Sequence, residues 1–206
     1  SLVFTIMAGT LYHIVLGAAQ FEVIWAVEDK GFNPNTFGQI NGWIFVVFGV
    51  LGSLFGGIAS DWTLRKYNLP RTWFLLILTL LFMPLAFTRY LDTDSILFWV
   101  GICSSAFSLG CFYGPVFAVI QELVPPTIKG TVVAFNLLCL NMLGIALGSI
   151  LFGILADYAV TQGYENPYTN LLVGFSCVFL VFGPILYYLA GRFYEQDKKA
   201  LIEKFN

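Results

Sequence analysis

Residues 130–156 read GTVVAFNLLCLNMLGIALGSILFGILA, twenty-seven residues without Asp, Glu, Lys or Arg. A helix needs about 20 mainly apolar residues to cross the hydrocarbon core of a bilayer. The stretch does not alternate between polar and apolar positions, as a strand of a membrane barrel does. We therefore predict a membrane-spanning helix, which satisfies its own backbone hydrogen bonds in lipid.

Five other stretches lack these charged residues over a comparable length: 2–21, 37–60, 72–88, 95–121 and 166–191. The chain is 58% hydrophobic and 11% charged, with a mean hydropathy of +0.81. Soluble domains carry about 25% charged residues, so lipid has to be the solvent for most of this surface. The sequence predicts an all-α membrane protein with six transmembrane helices.

A net charge of −2 offers no basic face for a nucleic acid, and the spacing of the four cysteines matches no metal site.

Basic residues are concentrated in alternate connections. The connections after the second and fourth runs, with the tail, contain eight of them: Arg65, Lys66, Arg71, Lys129, Arg192, Lys198, Lys199 and Lys204. The other connections contain Lys30 and Arg89. By the positive-inside rule, we expect both ends of this chain to be cytoplasmic, in a plasma or inner membrane.

Two segments repeat at an offset of 96 residues. Residues 52–62 read GSLFGGIASDW and residues 148–158 read GSILFGILADY, with Gly, Ser, Gly, Ile and Asp in register. The same offset pairs the first run with the fourth and the third with the sixth, giving units of about 1–94 and 95–193 and a cytoplasmic tail at 194–206. A unit of three spans places its second copy upside down, and such inverted 3+3 repeats are typical of secondary transporters.

Residues 57–66, GIASDWTLRK, combine a glycine, an aspartate four residues later and two bases. This pattern resembles the cytoplasmic loop signature of the major facilitator superfamily, although Trp62 and Leu64 replace its first basic residue and its second glycine. The resemblance implies half of a twelve-helix fold. Since Ser1 is followed at once by a membrane run, we expect the C-terminal six-helix half of a longer transporter, with the N-terminal half as its partner.

The resemblance also implies a gating motif formed by Gly57, Asp61, Arg65 and Lys66. Asp61 at a helix end can pair with a base or with the N-terminus of a neighbouring helix, whose partial positive charge favours a carboxylate. Such a contact locks one conformation of a moving bundle. The alternative is a hydrated interfacial aspartate that only ends the helix.

A second resemblance extends over residues 114–157. Gly114-Pro115, QELVPPTIKGT at 121–131, and the later Asn141, Gly144, Gly148, Gly153 and Asp157 are similar to the spinster-type branch of the superfamily. Members of that branch transport lysolipids and sphingoid lipids, often with proton coupling, and branches for organic anions and sugar phosphates share much of the pattern. The resemblance thus implies alternating access, an amphipathic lipid-like or small organic substrate, membrane lipid and protons as partners, and no cofactor.

Polar groups deep in the runs are the candidate substrate-binding residues, because such carriers bind near the bilayer midplane. They are Thr10, His13, Gln20, Trp43, Ser104, Ser108, Tyr113 and Asn136. The first-run candidates share one helical face, and the two serines share one face of the fourth run. At the offset of 96, Ser108 aligns with Tyr12 and not with His13, so either the register slips by one residue or one polar face packs inside the bundle.

Glu22 is the acid that ends the first apolar run. It is either a hydrated interfacial acid beside Glu28 and Asp29 or a proton-coupling carboxylate. No Lys or Arg lies within any run, which favours either a neutral or amphipathic substrate or the recognition of an anion elsewhere in the transporter. An intramembrane enzyme needs a poised pair or a metal set, and one histidine without a deep carboxylate gives neither. An enzyme and a self-contained six-helix protein without a transport role remain the alternatives.

Overall fold

The computed structural model describes the backbone of residues 1–205 and the side chains of residues 1–203, so Asn206 and the charge counted at Lys204 lie outside the described residues. Six helical spans are long and apolar enough to cross a membrane, which confirms the prediction. They are called the first to sixth spans: Leu2–Ala19, Pro34–Tyr67, Arg71–Tyr90, Ile96–Glu122, Pro126–Thr161 and Pro167–Glu203.

Eight α-helices form these spans and one connection: Leu2–Ala19, Glu22–Glu28, Pro34–Tyr67, Arg71–Phe87, Ile96–Glu122, Lys129–Leu138, Leu147–Thr161 and Pro167–Phe205. The fifth span contains a π-helical segment, Cys139–Ala146, between its two α-helices. Short 3₁₀ turns, Thr88–Tyr90 and Pro126–Ile128, extend the third span and begin the fifth. The predicted tail, up to Phe205, continues the last helix.

Capping residues set where the long helices begin and end. The Asn33 side chain accepts hydrogen bonds from the backbone N–H groups of Asn35 and Thr36 at 3.0 and 3.2 Å, and Pro34 occupies the first helical position. The same helix ends at Asn68, whose φ of 50° is left-handed. These caps fix the length of the second span.

The spans pack in a pattern that is preserved when the two three-helix units are exchanged. The second span packs along the fourth, and the fifth packs along the first. The third packs against the fourth, the sixth against the first, and the third and sixth contact each other. Because each unit has three crossings, this is the inverted 3+3 repeat that the sequence predicts.

Close backbone contacts define the register of the repeat. A side chain at Gly110 would collide with the backbone of Gly49 and Ser53, and one at Gly17 would collide with Ile145 and Ser149. Ile145 and Ser149 follow Gly49 and Ser53 by 96 residues, whereas Gly110 follows Gly17 by 93. The first and fourth spans therefore slip by three residues in the repeat, not by one.

Candidate functional site

The one histidine of the chain lies where the first span meets the fourth and fifth. His13 is buried, with 2% of its surface exposed. Its Nδ1 lies 2.8 Å from the Gly9 carbonyl oxygen, and its Nε2 lies 3.1 Å from the Tyr113 hydroxyl. A carbonyl oxygen only accepts, so Nδ1 carries the proton, and in the neutral ring Nε2 accepts the hydrogen of Tyr113. The lone pairs of the half-buried Tyr113 oxygen stay available to another donor.

The fifth span is π-helical at this contact. A side chain at Gly144, within the π-helical segment, would collide with the Cβ of His13. Glycine lets the two helices approach closely here, and π-helical turns are frequent at functional sites. His13 is therefore held from two sides, by the fifth span and by Tyr113.

The two serines of the fourth span face the interior of the bundle. Ser108 donates to the Ser105 carbonyl at 3.1 Å, so Tyr12, 3.3 Å from the Ser108 hydroxyl, is the donor of that pair. Ser104 donates to the Phe82 carbonyl of the third span at 3.4 Å. This polar face packs inside the bundle, which is the second of the two alternatives left by the sequence.

Four further candidates have no hydrogen bond to His13 or Tyr113 among the described residues. Thr10 donates to the Ile6 carbonyl at 2.9 Å and lies in an apolar groove between the first, fifth and sixth spans. Gln20 is exposed, and Trp43 is 71% exposed. Asn136 is fully buried, and its amide finds no partner within residues 1–203. From the predicted set, the structure thus joins His13 with Tyr113.

A network of charges closes the end of the bundle where the second span ends, called the Asp61 end. Arg71, at the start of the third span, donates through Nη2 to Asp61 at 2.6 Å and pairs through Nη1 with Glu122 at the end of the fourth. Tyr194 of the sixth span donates to the other Glu122 oxygen. The network therefore ties four spans together, and the base that Asp61 binds is Arg71.

Arg65 and Lys66, the two bases of the motif, do not pair with Asp61. Both are exposed, and Lys66 lies 4.9 Å from the ring centroid of Trp62. Gly57 lies against the fourth span, where a Cβ at Gly114 would be 3.5 Å away. Sequence reasoning missed Arg71 and Glu122, although a charge at the edge of an apolar run on the same side as Asp61 is a usable signal.

A buried ion pair lies at the opposite end of the bundle, called the Glu22 end. Glu22 pairs with Nη2 of Arg89, and their side chains are 6% and 8% exposed. Asn41 of the second span donates to the other Glu22 oxygen at 3.1 Å. The interpretation of Glu22 as a hydrated interfacial acid was wrong, because the short helix Glu22–Glu28 folds it against the third span.

Arg89 is also buried, contrary to its assignment to an external connection. The 3₁₀ turn Thr88–Tyr90, which follows the helix Arg71–Phe87, carries Arg89 into the third span, where its guanidinium lies 5.1 Å from the Trp25 ring centroid. The expectation that no Lys or Arg lies within a membrane span is therefore wrong for Arg89. Because Glu22 neutralises Arg89, the buried cation is not a free anion site.

Among the residues that the structure describes, no three His, Cys, Asp or Glu side chains lie close enough together to hold one metal ion. The four cysteines are free thiols at separate positions.

Comparison with known proteins identifies the family. Residues 1–149 match the sequence profile of the Major Facilitator Superfamily, whose members are transporters and not enzymes. The structure of a bacterial homologue of the human lysosomal transporter Spinster, in an inward-facing, unoccupied conformation, matches 95% of this chain with a TM-score of 0.75 and 16% identity. The chain spans about half of that protein, 48% of its length. No curated protein sequence matches. With six spans in an inverted repeat and a profile match over most of its length, the chain belongs to the major facilitator superfamily.

Proposed function

We propose that this chain is the C-terminal six-helix half of a secondary active transporter, which works by alternating access as it rocks against an N-terminal half. The observation that carries the proposal is the tie between the ends of four spans through Arg71. Alternating access is largely rigid-body rocking of one bundle against another, and these contacts make the half move as one body.

Within this mechanism, the Gly57, Asp61, Arg65 and Lys66 motif gates the Asp61 end. The Asp61 side chain is 48% exposed, and one of its oxygens binds Arg71. The other oxygen is free to accept from a helix N-terminus of the second half, where the partial positive charge attracts it. Arg65 and Lys66 are exposed on the same loop and available to anionic groups of the partner half or of the lipid.

The gate is tested by Asp61→Asn in the full-length transporter reconstituted in liposomes. We expect slower turnover with little change in substrate affinity, because the carboxylate stabilises one conformation and does not touch the substrate. Asp157→Asn is the matched control, since Asp157 is the exposed repeat mate of Asp61. Equal turnover in the wild type and Asp61→Asn would remove the gating role.

The orientation of the chain follows the positive-inside rule. We propose that the Asp61 end is cytoplasmic and the Glu22 end faces the other side of a plasma or inner membrane. Single cysteines at Lys66 and Asp92, in a background without the native cysteines, test this with a membrane-impermeant thiol reagent on intact cells. Labelling at position 66 and protection at position 92 would reverse the assignment.

For the substrate, we propose an amphipathic, lipid-like or small organic molecule that presents a hydrogen-bond donor. Tyr113 supports this, because its hydrogen is directed to His13 and its oxygen can only accept further bonds. The buried cation, Arg89, is paired with Glu22, so within the described part of the chain the interior of this half offers it to no strongly anionic group. Trp43, Thr10, Gln20, Ser104, Ser108 and Asn136 stay candidate contacts from the sequence.

Transport into proteoliposomes of a labelled lysolipid and of a sugar or organic acid, side by side, tests the substrate class. If only the polar solute moves faster than in empty liposomes, the lipid-like substrate is wrong.

Tyr113→Phe keeps the ring and removes the acceptor oxygen, so we expect weaker apparent affinity at nearly unchanged maximal rate. His13→Gln should give a smaller effect, because His13 orients the hydroxyl without receiving the substrate.

We also propose that Glu22 is the group through which this half responds to protons. The carboxylate is buried and balanced by Arg89, with Asn41 as its other polar neighbour. Protonation would cancel its charge and leave the arginine unbalanced, so the proton and the conformation of the Glu22 end are linked. Glu22→Gln imitates the protonated state, and we expect a flattened pH dependence of uptake. An unchanged pH dependence would place coupling in the other half.

A further inference from the structure

Two neighbouring cavities lie inside the bundle, where the first and fourth spans pack against the third and sixth. Their volumes are about 70 and 20 Å³. Tyr12, Met83 and Ser108 line both of them. The cavities are therefore separated by shared side chains and run from the Glu22 end toward the middle of the bundle.

The larger cavity has a mainly apolar lining into which several polar side chains are set. Its polar side chains are Tyr12, Arg89, Tyr90, Ser105, Ser108 and Ser176. Two pairs of these groups are in contact: Arg89 Nη1 lies 3.5 Å from the Ser105 hydroxyl, and the Tyr90 hydroxyl lies 3.3 Å from the Ser176 hydroxyl. Hydroxyl oxygens have two lone pairs each, so these groups keep accepting capacity for water in the cavity.

Two buried polar atoms beside these cavities lack partners on the protein. Nε of Arg89 and the hydroxyl of Tyr187 have no hydrogen bond to any of the described side chains or backbone groups. Arg89 lines the larger cavity, and Tyr187 lines the smaller one. Lipid cannot satisfy such groups, and buried polar groups in native proteins nearly always have a partner.

We propose that the two cavities are a water-binding site inside this half of the transporter. A cavity needs roughly 10–15 Å³ of occupied volume to hold one water, which also needs two to four polar partners. Both cavities exceed this size, and the larger one has room for more than one water. Arg89 Nε donates to water in the larger cavity, and the Tyr187 hydroxyl bonds to the water in the smaller one.

The site explains how the ion pair at the Glu22 end persists in the membrane. Glu22, which also accepts from Asn41, satisfies one side of the guanidinium, and the internal water satisfies the side that faces the cavity. A charge hydrated from inside loses less solvation than one surrounded by apolar groups. This inference concerns the interior of one half and does not depend on the substrate, the gate or the coupling ion.

Radiolytic footprinting of the full-length protein in nanodiscs tests the proposal. X-rays produce hydroxyl radicals from water in place, so a buried side chain is oxidised only where water touches it. Met83 and Tyr12 line both cavities, and Met83 is 6% exposed. We expect both to be oxidised several-fold faster, relative to their intrinsic reactivities, than Phe98 and Phe152, which are fully buried and line neither cavity.

A variant that fills the larger cavity gives a second readout. Ala86 lines this cavity, and Ala86→Leu should displace water, reduce oxidation of Met83 and lower the melting temperature, because Arg89 loses its partners. Filling a dry cavity would raise the melting temperature instead. Ala134→Leu, at an exposed position of the fifth span, is the control. Oxidation of Met83 and Tyr12 no faster than that of Phe98 and Phe152 in the wild type would overturn the proposal, whether or not Ala86→Leu folds.

Discussion

Replacing Glu22 with Gln should destabilise the protein more than any other single neutralisation of an acid in this chain. Both partners of the Glu22–Arg89 pair are more than nine-tenths buried, so bulk solvent screens the pair little. Removing one partner of a buried pair leaves an uncompensated charge and costs about 3–5 kcal/mol. The Asn41 contact survives in the variant, because a Gln side chain also offers an oxygen to its amide.

The matched comparison is Asp61→Asn at the other end of the bundle. Asp61 is also paired with an arginine, but its side chain is 48% exposed, and exposed pairs contribute about 0–1 kcal/mol. Thermal unfolding of the full-length protein in detergent should therefore show a fall in melting temperature at least three times larger for Glu22→Gln than for Asp61→Asn.

The double variant Glu22→Gln/Arg89→Met separates charge imbalance from lost packing. Replacing a whole buried pair with side chains of similar size is often neutral or stabilising, so we expect the double variant to recover most of the lost melting temperature. If Glu22→Gln melts no lower than Asp61→Asn, or if the double variant is worse than either single one, the pair is not the element that holds the Glu22 end.

Three further outcomes are expected. Gly148→Val should lower the free energy of unfolding by about 1–3 kcal/mol, because its side chain overpacks against the Ile14 backbone. Gly174→Ala, whose added methyl group meets nothing within 4 Å, should raise it by up to about 1 kcal/mol. Unfolding in detergent measures both variants, and equal effects would contradict the close contact at Gly148. Arg71→Lys keeps the charge but not the fork that reaches Asp61 and Glu122 together, so uptake assays should place its turnover between those of the wild type and Asp61→Asn. Trp43→Ala should change the unfolding free energy by less than about 0.5 kcal/mol, because its side chain is largely exposed, while weaker substrate affinity in the same variant would support its place in the cavity.

The number of spans, their approximate bounds and the inverted repeat could be predicted from the sequence, because lipid excludes charge and each span needs a continuous apolar run. The ends of the spans could not. Thr88–Tyr90 continues the third span as a 3₁₀ turn and takes Arg89 inside, and the short helix Glu22–Glu28 buries an acid. In both cases a charge ended the run in the sequence, and a partner from another span made its burial possible.

The types of residue at the candidate site could be predicted from the sequence, but the direction in which each polar helix face points could not. Helical spacing grouped Ser104 with Ser108, and this grouping holds, but spacing does not say whether a face packs or lines a cavity. Which way a polar face points depends on how the first span corresponds to the fourth in the repeat. Close contacts at Gly17 and Gly110 show that the two correspond at an offset of 93 residues, three fewer than the 96 of the other repeat positions. Arg71 was visible only as one of eight bases, since its two acid partners come from different spans.

The two ends of the bundle use ion pairs of different strength, and this difference assigns them different roles in our mechanism. A contact that opens in every transport cycle has to be weak, which fits the contact we propose between the other half and the free oxygen of the Asp61 side chain, which is 48% exposed. A contact that responds to protons has to be strong until the proton arrives, which fits the buried Glu22–Arg89 pair. The proposed functions can therefore be separated by one pair of measurements: Asp61→Asn should lower turnover by the same factor at every pH, whereas Glu22→Gln should change how turnover depends on pH.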